Sequence, residues 1–226
     1  MILICNYCGR SYERTPYQAK TSRYCSDDCF RKKSYMLEPT PNEVQVLLTG
    51  IFGDGCLTKY KSAHHYRYAT NCKFKEYILF KQSFLENLHY GSCNESLNKG
   101  YKRAKIFRFA TQSHPAITEI AEDSIENNLN KLTDLGVALW FYDDGSLHHS
   151  KHFYNLNTHA FNRDVQQELF IPFFEERYDV DATLAYDRKA DGRCFTYLRI
   201  NRDDGAEIIS DLLEQYPVKC YSYKRI

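Results

Sequence analysis

The sequence predicts an α+β fold built from two similar halves, preceded by a small cysteine-rich module. Two apolar runs of helical length both close on Asp-Gly, and their glycines, Gly55 and Gly145, are 90 residues apart. Segments that alternate apolar and polar residues follow each run, which is typical of strands with one packed face. Four cysteines in two close pairs stand ahead of both halves.

The two apolar runs are Leu47–Gly55 (LLTGIFGDG) and Val137–Gly145 (VALWFYDDG). Helices that are apolar nearly all round are buried, so we expect both to lie in the core. Their small residues allow close backbone approach; these are Thr49, Gly50, Gly53, Gly136 and Ala138. The two helices are therefore predicted to pack side by side, with Gly55 and Gly145 as left-handed residues that end them.

Asp54 and Asp144 precede the two glycines. A carboxylate near a helix C-terminus faces the negative end of the helix macrodipole, which is unfavourable unless a cation lies nearby. Two equivalent aspartates at such ends therefore indicate a divalent metal bound by carboxylate and backbone oxygens. The alternative is that both Asp-Gly pairs are ordinary turns after core helices.

These motifs resemble those of the LAGLIDADG homing endonucleases, and the stretch Ala138–Ser146 is the closer match. The resemblance covers the chain from about Pro41 onward. It includes, in each half, a strand, a helix such as Lys75–Leu88 or Val165–Tyr178, further strands and a final helix. It implies a pseudo-twofold duplicated core with antiparallel sheets. Pro172 is expected to kink the second of these helices.

The segment 36–42 (MLEPTPN) contains two prolines and has no periodicity, so it is predicted to be a linker. Thr40 or Asn42 could cap the first motif helix, with Glu43 in its first turn. We therefore predict a module at 1–38 and a core at 39–226. The core repeats cover about 42–130 and 131–226, and the chain passes between them near Asn127–Asp134.

The N-terminal cysteines have the spacing C-x2-C-x16-C-x3-C and are Cys5, Cys8, Cys25 and Cys29. The odd total of nine cysteines and the lack of a signal-peptide pattern argue against a disulfide framework. Two close pairs of thiolates suit tetrahedral Zn²⁺, and Gly9 gives the first pair a permissive backbone. A redox role is the alternative, although C-x3-C is not the thioredoxin spacing.

The cysteine segment also resembles treble-clef or zinc-ribbon modules attached to mobile-element nucleases. Between Arg10 and Lys33 it carries seven basic residues against three acids. We therefore expect an accessory DNA-binding finger, joined through the linker to a core that folds without it.

The net charge of +1 does not by itself indicate a nucleic-acid partner, but the charges are segregated. The stretch 99–108 has five basic residues and no acid, whereas 119–144 has seven acids and one lysine. Such segregation gives a nearly neutral protein one basic face. Aromatic residues interleave the basic stretch, which favours a strand that contacts phosphates over a solvated hairpin.

Period-2 alternation predicts strands at Tyr66–Asn71, Ile106–Thr111, Tyr154–His159 and Cys194–Ile200. Their polar faces carry side chains that can reach base edges in a major groove. Lys105, Arg202 and Lys224 are candidates for basic residues of an active-site pocket because they lie near strand ends. The residues assigned to DNA are Lys102, Arg103, Lys105, Arg108, Asn155, Asn157, Arg199, Arg202 and Lys224.

The resemblance implies a site-specific endonuclease that makes a Mg²⁺-dependent double-strand break in a long asymmetric DNA target. Asp54 and Asp144 would be catalytic and would hold Mg²⁺ together with backbone oxygens at Gly53 and Asp143. A DNA-binding regulator without cleavage and an RNA-binding intron maturase are the alternatives on the same scaffold. The presence of both aspartates favours cleavage over the regulator.

Three histidines after the second motif, His148, His149 and His152, look like a fragment of an HNH nuclease, but the spacing of that motif is absent. The hydrophobic content of 43% supports a substantial core, yet no apolar run is long enough to cross a membrane. We expect a soluble intracellular monomer, in the cytoplasm or nucleoid, whose partners are duplex DNA and, for a maturase, intron RNA.

Overall fold

The computed structural model describes residues 1–97, 104–150, 152–188, 194–201 and 204–226, with the backbone alone at residues 188 and 204. Lys102, Arg103 and Arg202 therefore lie outside the described residues. The fold is α+β, with two four-stranded antiparallel sheets and a two-stranded hairpin. This architecture confirms the predicted fold class. No helix in the described part of the chain is long and apolar enough to cross a membrane.

The four-cysteine module, residues 1–38, begins with a hairpin whose turn contains Gly9 at φ +71°. The Gly9 N–H donates to the Cys5 carbonyl, which closes the turn at a backbone angle that suits glycine. Ser26 caps the longer helix through the N–H of Cys29. The elements are β1 (Ile2–Ile4), β2 (Ser11–Glu13), α1 (Pro16–Ala19) and α2 (Asp27–Ser34).

The first half of the core starts with the first motif helix. Its N-cap is Thr40, which forms a reciprocal capping box with Glu43, and Pro41 occupies the first turn. The elements are α3 (Pro41–Phe52), β3 (Gly55–Thr58), β4 (Arg67–Cys72), α4 (Lys75–Gln82), β5 (Asn94–Leu97), β6 (Lys105–Ala110), α5 (Pro115–Glu122) and α6 (Ile125–Asn130).

The second half starts with the second motif helix and has the same general order of helix, two strands, helical segment, two strands and a helical end. Its elements are α7 (Asp134–Asp144), β7 (Gly145–Leu147), β8 (Tyr154–Leu156), α8 (Arg163–Val165), α9 (Ile171–Tyr178), β9 (Ala182–Arg188), β10 (Cys194–Ile200) and α10 (Asp204–Gln215). A 3₁₀ segment, Lys219–Lys224, follows α10.

The two sheets have the same topology. Their strand orders are β3-β4-β6-β5 and β7-β8-β10-β9, so each sheet opens with the strand that follows its motif helix. In both halves the second strand pairs with the fourth, and the third lies at the far edge. Asp54 and Asp144, at the ends of the motif helices, therefore lie at the same edge of their respective sheets.

The helix with Pro172 accommodates the proline by a change of hydrogen bonding. A π-helical turn, Gln166–Phe170, joins α8 to α9, and the Ile171 N–H donates to the Gln166 carbonyl five residues back. Pro172 then stands in the first turn of α9, where a missing N–H costs little. The distortion expected at this proline takes the form of a π-helical turn just before it.

The motif helices lie at the centre of the core. Val46, Leu47 and Leu48 of α3 are fully buried, and every residue of α7 from Leu135 to Tyr142 is buried. Phe52 packs on the fully buried Trp140 with ring centroids 5.0 Å apart, which joins the two helices directly. Burial of this kind is what apolar residues on all faces of a helix predict.

Gly55 and Gly145 do not end the helices in a left-handed conformation, so that expectation was wrong. Among the described glycines only Gly9 has positive φ, and the chain passes from each motif helix directly into a strand. These glycines are needed for space instead. A Cβ on Gly55 would lie 2.6 Å from the Tyr68 ring, and one on Gly145 would lie 2.6 Å from the Phe141 ring.

Candidate active site

The two motif helices approach closely at both ends of their contact. At the start, the Gln45 side chain accepts from the Thr133 N–H at 2.8 Å and donates to the Lys131 carbonyl at 3.0 Å. A Cβ on Gly136 would collide with the same Gln45 amide. At the far end, a Cβ on Gly53 would lie 2.9 Å from Cβ of Asp143. Small residues on each helix thus fix the register of the pair.

Asp54 and Asp144 lie where this contact ends. Asp144 is the last residue of α7, and Asp54 follows Gly53, the C-cap of α3. Burial, followed by repulsion from Asp54 and Asp143, raises the pKa of Asp144 to about 7. The pKa of Asp54 is also raised, by desolvation and then by the Asp143 carboxylate. Concentrated negative charge of this kind favours a bound cation.

The Asp143 side chain is completely buried, and its carboxylate is occupied by partners within the protein. Its Oδ1 accepts from the Tyr77 hydroxyl at 2.7 Å, and its Oδ2 accepts from Lys81 Nζ at 2.7 Å and from the Asp54 N–H at 3.1 Å. Both side chains of the Lys81–Asp143 ion pair are completely buried. Asp143 can therefore offer a metal its backbone carbonyl, while its carboxylate holds the Asp54 backbone in place.

Lys81 was not among the residues singled out from the sequence. Burial alone would lower its pKa, but the Asp143 carboxylate outweighs burial and holds the pKa above its usual range. Its Nζ also lies 3.3 Å from Thr49 Oγ1, so this one ammonium group links α4 to both motif helices. The segment KEYILFKQ reads as a half-exposed helix, and nothing local indicates that its second lysine is the buried one.

Lys224 reaches the helix ends from the C-terminal 3₁₀ segment. Its Nζ donates to the carbonyls of Phe141 at 3.1 Å and Tyr142 at 2.7 Å, in the last turn of α7. Burial lowers its pKa to about 8, against the opposing influence of Asp143 and the two motif aspartates. A cation here compensates the negative end of the helix macrodipole.

Each motif aspartate opens onto the polar face of its own sheet. Asp54 lines a groove of about 570 Å³ and Asp144 one of about 530 Å³. The first groove contains Arg67, Asn71, Asn94 and Arg108; the second contains Ser146, Asn155, Asn157 and Thr196. Each carboxylate lines its own groove, and the two grooves belong to two sheets of the same topology. Such an arrangement is suited to an extended polar substrate that presents a similar part to each sheet.

The sequence from 44 to 208 matches the model of the LAGLIDADG DNA endonuclease family. The chain belongs to this family. The matched segment begins within the first motif helix, after the four-cysteine module, and it contains the second motif helix and both aspartates. No curated protein matches the chain significantly.

The fold is similar to that of the homing endonuclease I-WcaI bound to its DNA recognition sequence, with a TM-score of 0.70 at 18% identity. That match covers 92% of this chain and 97% of the other. An I-DmoI variant, in complex with target DNA nicked in the coding strand and in the presence of manganese, matches with a TM-score of 0.47 at 15% identity, over 77% of this chain and 96% of the other.

The residues that the sequence predicts to contact DNA lie in different surroundings. Arg108, Asn155 and Asn157 line the two grooves. Arg199 pairs across the sheet with Asn155, donates to its Oδ1 at 3.3 Å and stacks on Phe153. Lys105 forms an exposed ion pair with Glu95 at 2.8 Å. Three basic residues were candidates for the active-site pocket. Lys105 lies elsewhere and Arg202 is outside the described residues, so Lys224 is the candidate that the structure places near the aspartates.

The four N-terminal cysteines, which precede the LAGLIDADG match, come together in space. Their Sγ atoms all lie within 4.8 Å of one another, with Cys8 and Cys25 at 3.6 Å and Cys25 and Cys29 at 3.4 Å. A tetrahedral zinc with Zn–S bonds of about 2.3 Å requires sulfur separations of about 3.8 Å. The cluster can therefore hold a metal. Among the described residues no other group of three or more His, Cys, Asp or Glu side chains has such geometry, and His148, His149 and His152 form none.

Proposed function

We propose that this protein is a site-specific DNA endonuclease that makes a divalent-metal-dependent double-strand break in a long asymmetric target. The observation that carries the proposal is the position of Asp54 and Asp144. They lie at the ends of the paired motif helices, and each lines the groove on the polar face of one sheet. Membership of the LAGLIDADG DNA endonuclease family and the DNA-bound state of the similar I-WcaI structure support it.

The donor set fits a hard divalent cation such as Mg²⁺. Asp54 and Asp144 supply carboxylate oxygens, and Gly53 and Asp143 supply backbone carbonyls at the negative ends of their helices. Such an ion, if bound by these residues, would supply activation of water and stabilisation of the leaving 3′ oxygen. The protein itself contributes position: Lys81 and Tyr77 hold Asp143, whose carboxylate in turn holds the Asp54 N–H.

Each sheet would contact one half-site of the duplex. Arg108, Asn155 and Asn157 would meet DNA from the two grooves, with Arg199 orienting Asn155 and Lys105 reaching phosphates from the first residue of β6. Lys102, Arg103 and Arg202 stay candidates of the same kind. Lys224 would act inside the pocket. Since one chain provides both halves, a monomer has two carboxylates for two strands.

The four-cysteine module would bind Zn²⁺ through Cys5, Cys8, Cys25 and Cys29 and contribute DNA contacts without taking part in the chemistry. Thiolate ligands at these separations suit zinc better than they suit magnesium or calcium, which prefer oxygen. Its basic surface favours phosphate contacts.

The test begins with selection of a tightly bound duplex from a randomised library, which is then incubated with the protein and Mg²⁺. Wild-type protein should cut both strands, and chelation should stop cleavage. Asp54→Asn and Asp144→Asn should each abolish double-strand cleavage while binding persists, because the lost group holds metal and does not read bases. Asp211→Asn, on the exposed side of α10, serves as the matched control. Full double-strand cleavage by either motif variant would overturn the assignment, and binding without cutting by wild type would indicate a regulator.

A further inference from the structure

The four-cysteine module is packed against the first half of the core. Phe30 of α2 contacts His89 with ring centroids 5.3 Å apart. Tyr35, just after α2, stands edge-on to His65 at 5.3 Å and to His114 at 5.6 Å. These three contacts reach separate segments of the first half, so α2 has one orientation relative to the first sheet.

Hydrogen bonds hold the segment between module and core, residues 38–43, at both of its ends. The Asn87 side chain donates to the Glu38 carbonyl at 2.7 Å. The buried Glu43 carboxylate accepts from the Thr40 N–H at 2.7 Å and from the N–H groups of Glu86, Asn87 and Leu88 at 2.6–2.9 Å. A carboxylate with this many donors fixes the chain where it enters α3. The segment that contains the two prolines is therefore held against the core by hydrogen bonds on both sides of them.

A groove of about 280 Å³ lies at the junction. Arg31 of α2 lines one side, and Tyr60, His65 and Arg67 from the β3–β4 hairpin line the other. No acidic side chain is among its lining residues. Arg31 is exposed, and neither arginine forms a salt bridge within the described parts of the chain. Two guanidinium groups without carboxylate partners suit a phosphate ligand.

This junction groove continues the groove of Asp54. Tyr60 and Arg67 line both, and the Arg67 guanidinium stacks on the Tyr60 ring at 4.3 Å. Connected grooves therefore run from Asp54 along the first sheet to Arg31. A duplex whose scissile phosphate lies at the motif aspartates and whose half-site lies on the first sheet would leave along this line.

We propose that Arg31 and Arg67 bind the phosphate backbone of DNA flanking the half-site of the first sheet, which makes the module a rigid extension of that sheet. This inference rests on the proposed function, because it requires a duplex on the first sheet. It assigns the junction groove to backbone contact rather than base recognition, and it makes the footprint longer on the side of the first half.

The experiment uses the full chain and the duplex selected above. Hydroxyl-radical footprints and binding isotherms between about 50 and 200 mM salt are measured for wild type, Arg31→Gln and Arg67→Gln. Lys32→Gln is the matched control, since Lys32 is the next residue of α2 but pairs with Asp28 at 3.0 Å. Equal melting temperatures would show that the substitutions at the exposed Arg31 and Lys32 and at the half-buried Arg67 leave the fold intact.

Arg31→Gln should lose protection of the outermost phosphates at one end of the footprint and bind about tenfold more weakly. Its slope of log affinity against log salt should shrink by about one. Arg67→Gln should lose protection at adjoining phosphates on the same end, whereas Asn155→Ala should alter the opposite end. Removing the outermost base pairs from the duplex should erase the difference between Arg31→Gln and wild type.

Two results would overturn the inference while leaving the proposed function in place. One is an Arg31→Gln variant with the footprint and salt slope of wild type; the other is a Lys32→Gln variant with the same loss as Arg31→Gln, which would indicate general charge alone. Wild-type protein that binds no duplex would instead defeat the proposed function, and the junction groove with it.

Discussion

The Asp143 carboxylate fills the space that a side chain at Gly53 would need, across the contact between the two motif helices. From that position it accepts from the Asp54 N–H at 3.1 Å. The residue before one motif aspartate thus positions the backbone of the other. The two halves are not equivalent here, because glycine precedes Asp54 and a buried aspartate precedes Asp144.

Gly53→Ala should therefore disturb both stability and cleavage. The new Cβ would lie 2.9 Å from Cβ of Asp143, which cannot retreat because Lys81 and Tyr77 hold its carboxylate. Overpacking of this kind costs about 1–3 kcal/mol in the free energy of unfolding. Urea unfolding and the cleavage rate on the selected duplex measure the two effects.

Gly91→Ala is the matched control, since a Cβ there would meet its nearest heavy atom at an ordinary 3.7 Å. We expect it to change the free energy of unfolding by less than about 0.5 kcal/mol. A Gly53→Ala protein as stable and active as wild type would show that the helix contact is looser than these distances require.

The buried ion pair predicts strong coupling between Lys81 and Asp143. Lys81→Met leaves a buried carboxylate without its cation, and Asp143→Asn leaves a buried ammonium without its anion. Each should lower the free energy of unfolding by about 3–5 kcal/mol. The double variant should lose less than the sum, by about 1–3 kcal/mol, in a double-mutant cycle on urea unfolding.

Lys32→Met tests whether burial is the reason for that coupling. Lys32 pairs with Asp28 at a similar distance, but both side chains are more than half exposed. Exposed pairs contribute about 0–1 kcal/mol, so this variant should unfold almost like wild type. Strict additivity of Lys81→Met and Asp143→Asn would contradict the ion pair.

The four-cysteine cluster predicts one tightly bound Zn²⁺ per chain. Metal analysis of purified protein should find it, and a strong chelator should release it and unfold the module. In native protein Cys5, Cys8, Cys25 and Cys29 should resist alkylation, while the exposed Cys56 and Cys194 react. Mass spectrometry of the alkylated peptides separates the two groups. Zinc-free protein whose four thiols react as fast as Cys56 would reject the site.

The fold was predictable where local pattern decides structure. Cys194–Ile200 is a strand with the predicted bounds, because alternation continues through its whole length. The strand from Tyr154 stops at Leu156 instead of His159, and the helix from Lys75 stops at Gln82 instead of Leu88. Element ends depend on caps and neighbouring segments, which periodicity does not contain.

Features that depend on long-range contacts were not predictable from the sequence. Lys81 and Asp143 are 62 residues apart, so nothing in either segment indicates their pairing. The Asp-Gly pattern correctly singles out two helix ends, but it suggests left-handed glycines where close packing on Tyr68 and Phe141 is the actual requirement. The prolines of segment 36–42 predict a linker, but they do not predict the aromatic contacts of Phe30 and Tyr35 with the first half of the core.

The turn into α6 predicts a stability change at acid pH. The Lys131 ammonium, followed by the Asn127 amide and the Ser124 N–H, holds the pKa of Asp123 at about 2, below its ordinary value of 3.8. Lys131 Nζ lies 2.6 Å from Asp123 Oδ2. A carboxyl group whose pKa is lower in the folded state stabilises the protein above its unfolded pKa, and this stabilisation is lost as pH falls through the folded value.

Asp123→Asn should therefore unfold at lower urea concentration than wild type at pH 7, because the amide keeps the shape but not the charge. The gap between the two midpoints should stay constant down to about pH 5 and narrow progressively between about pH 4 and pH 2. Lys131→Met should give a gap with the same pH dependence, since it removes the other half of the pair. Equal midpoints at pH 7, or a gap that does not narrow on acidification, would show that the charge of Asp123 does not stabilise this turn.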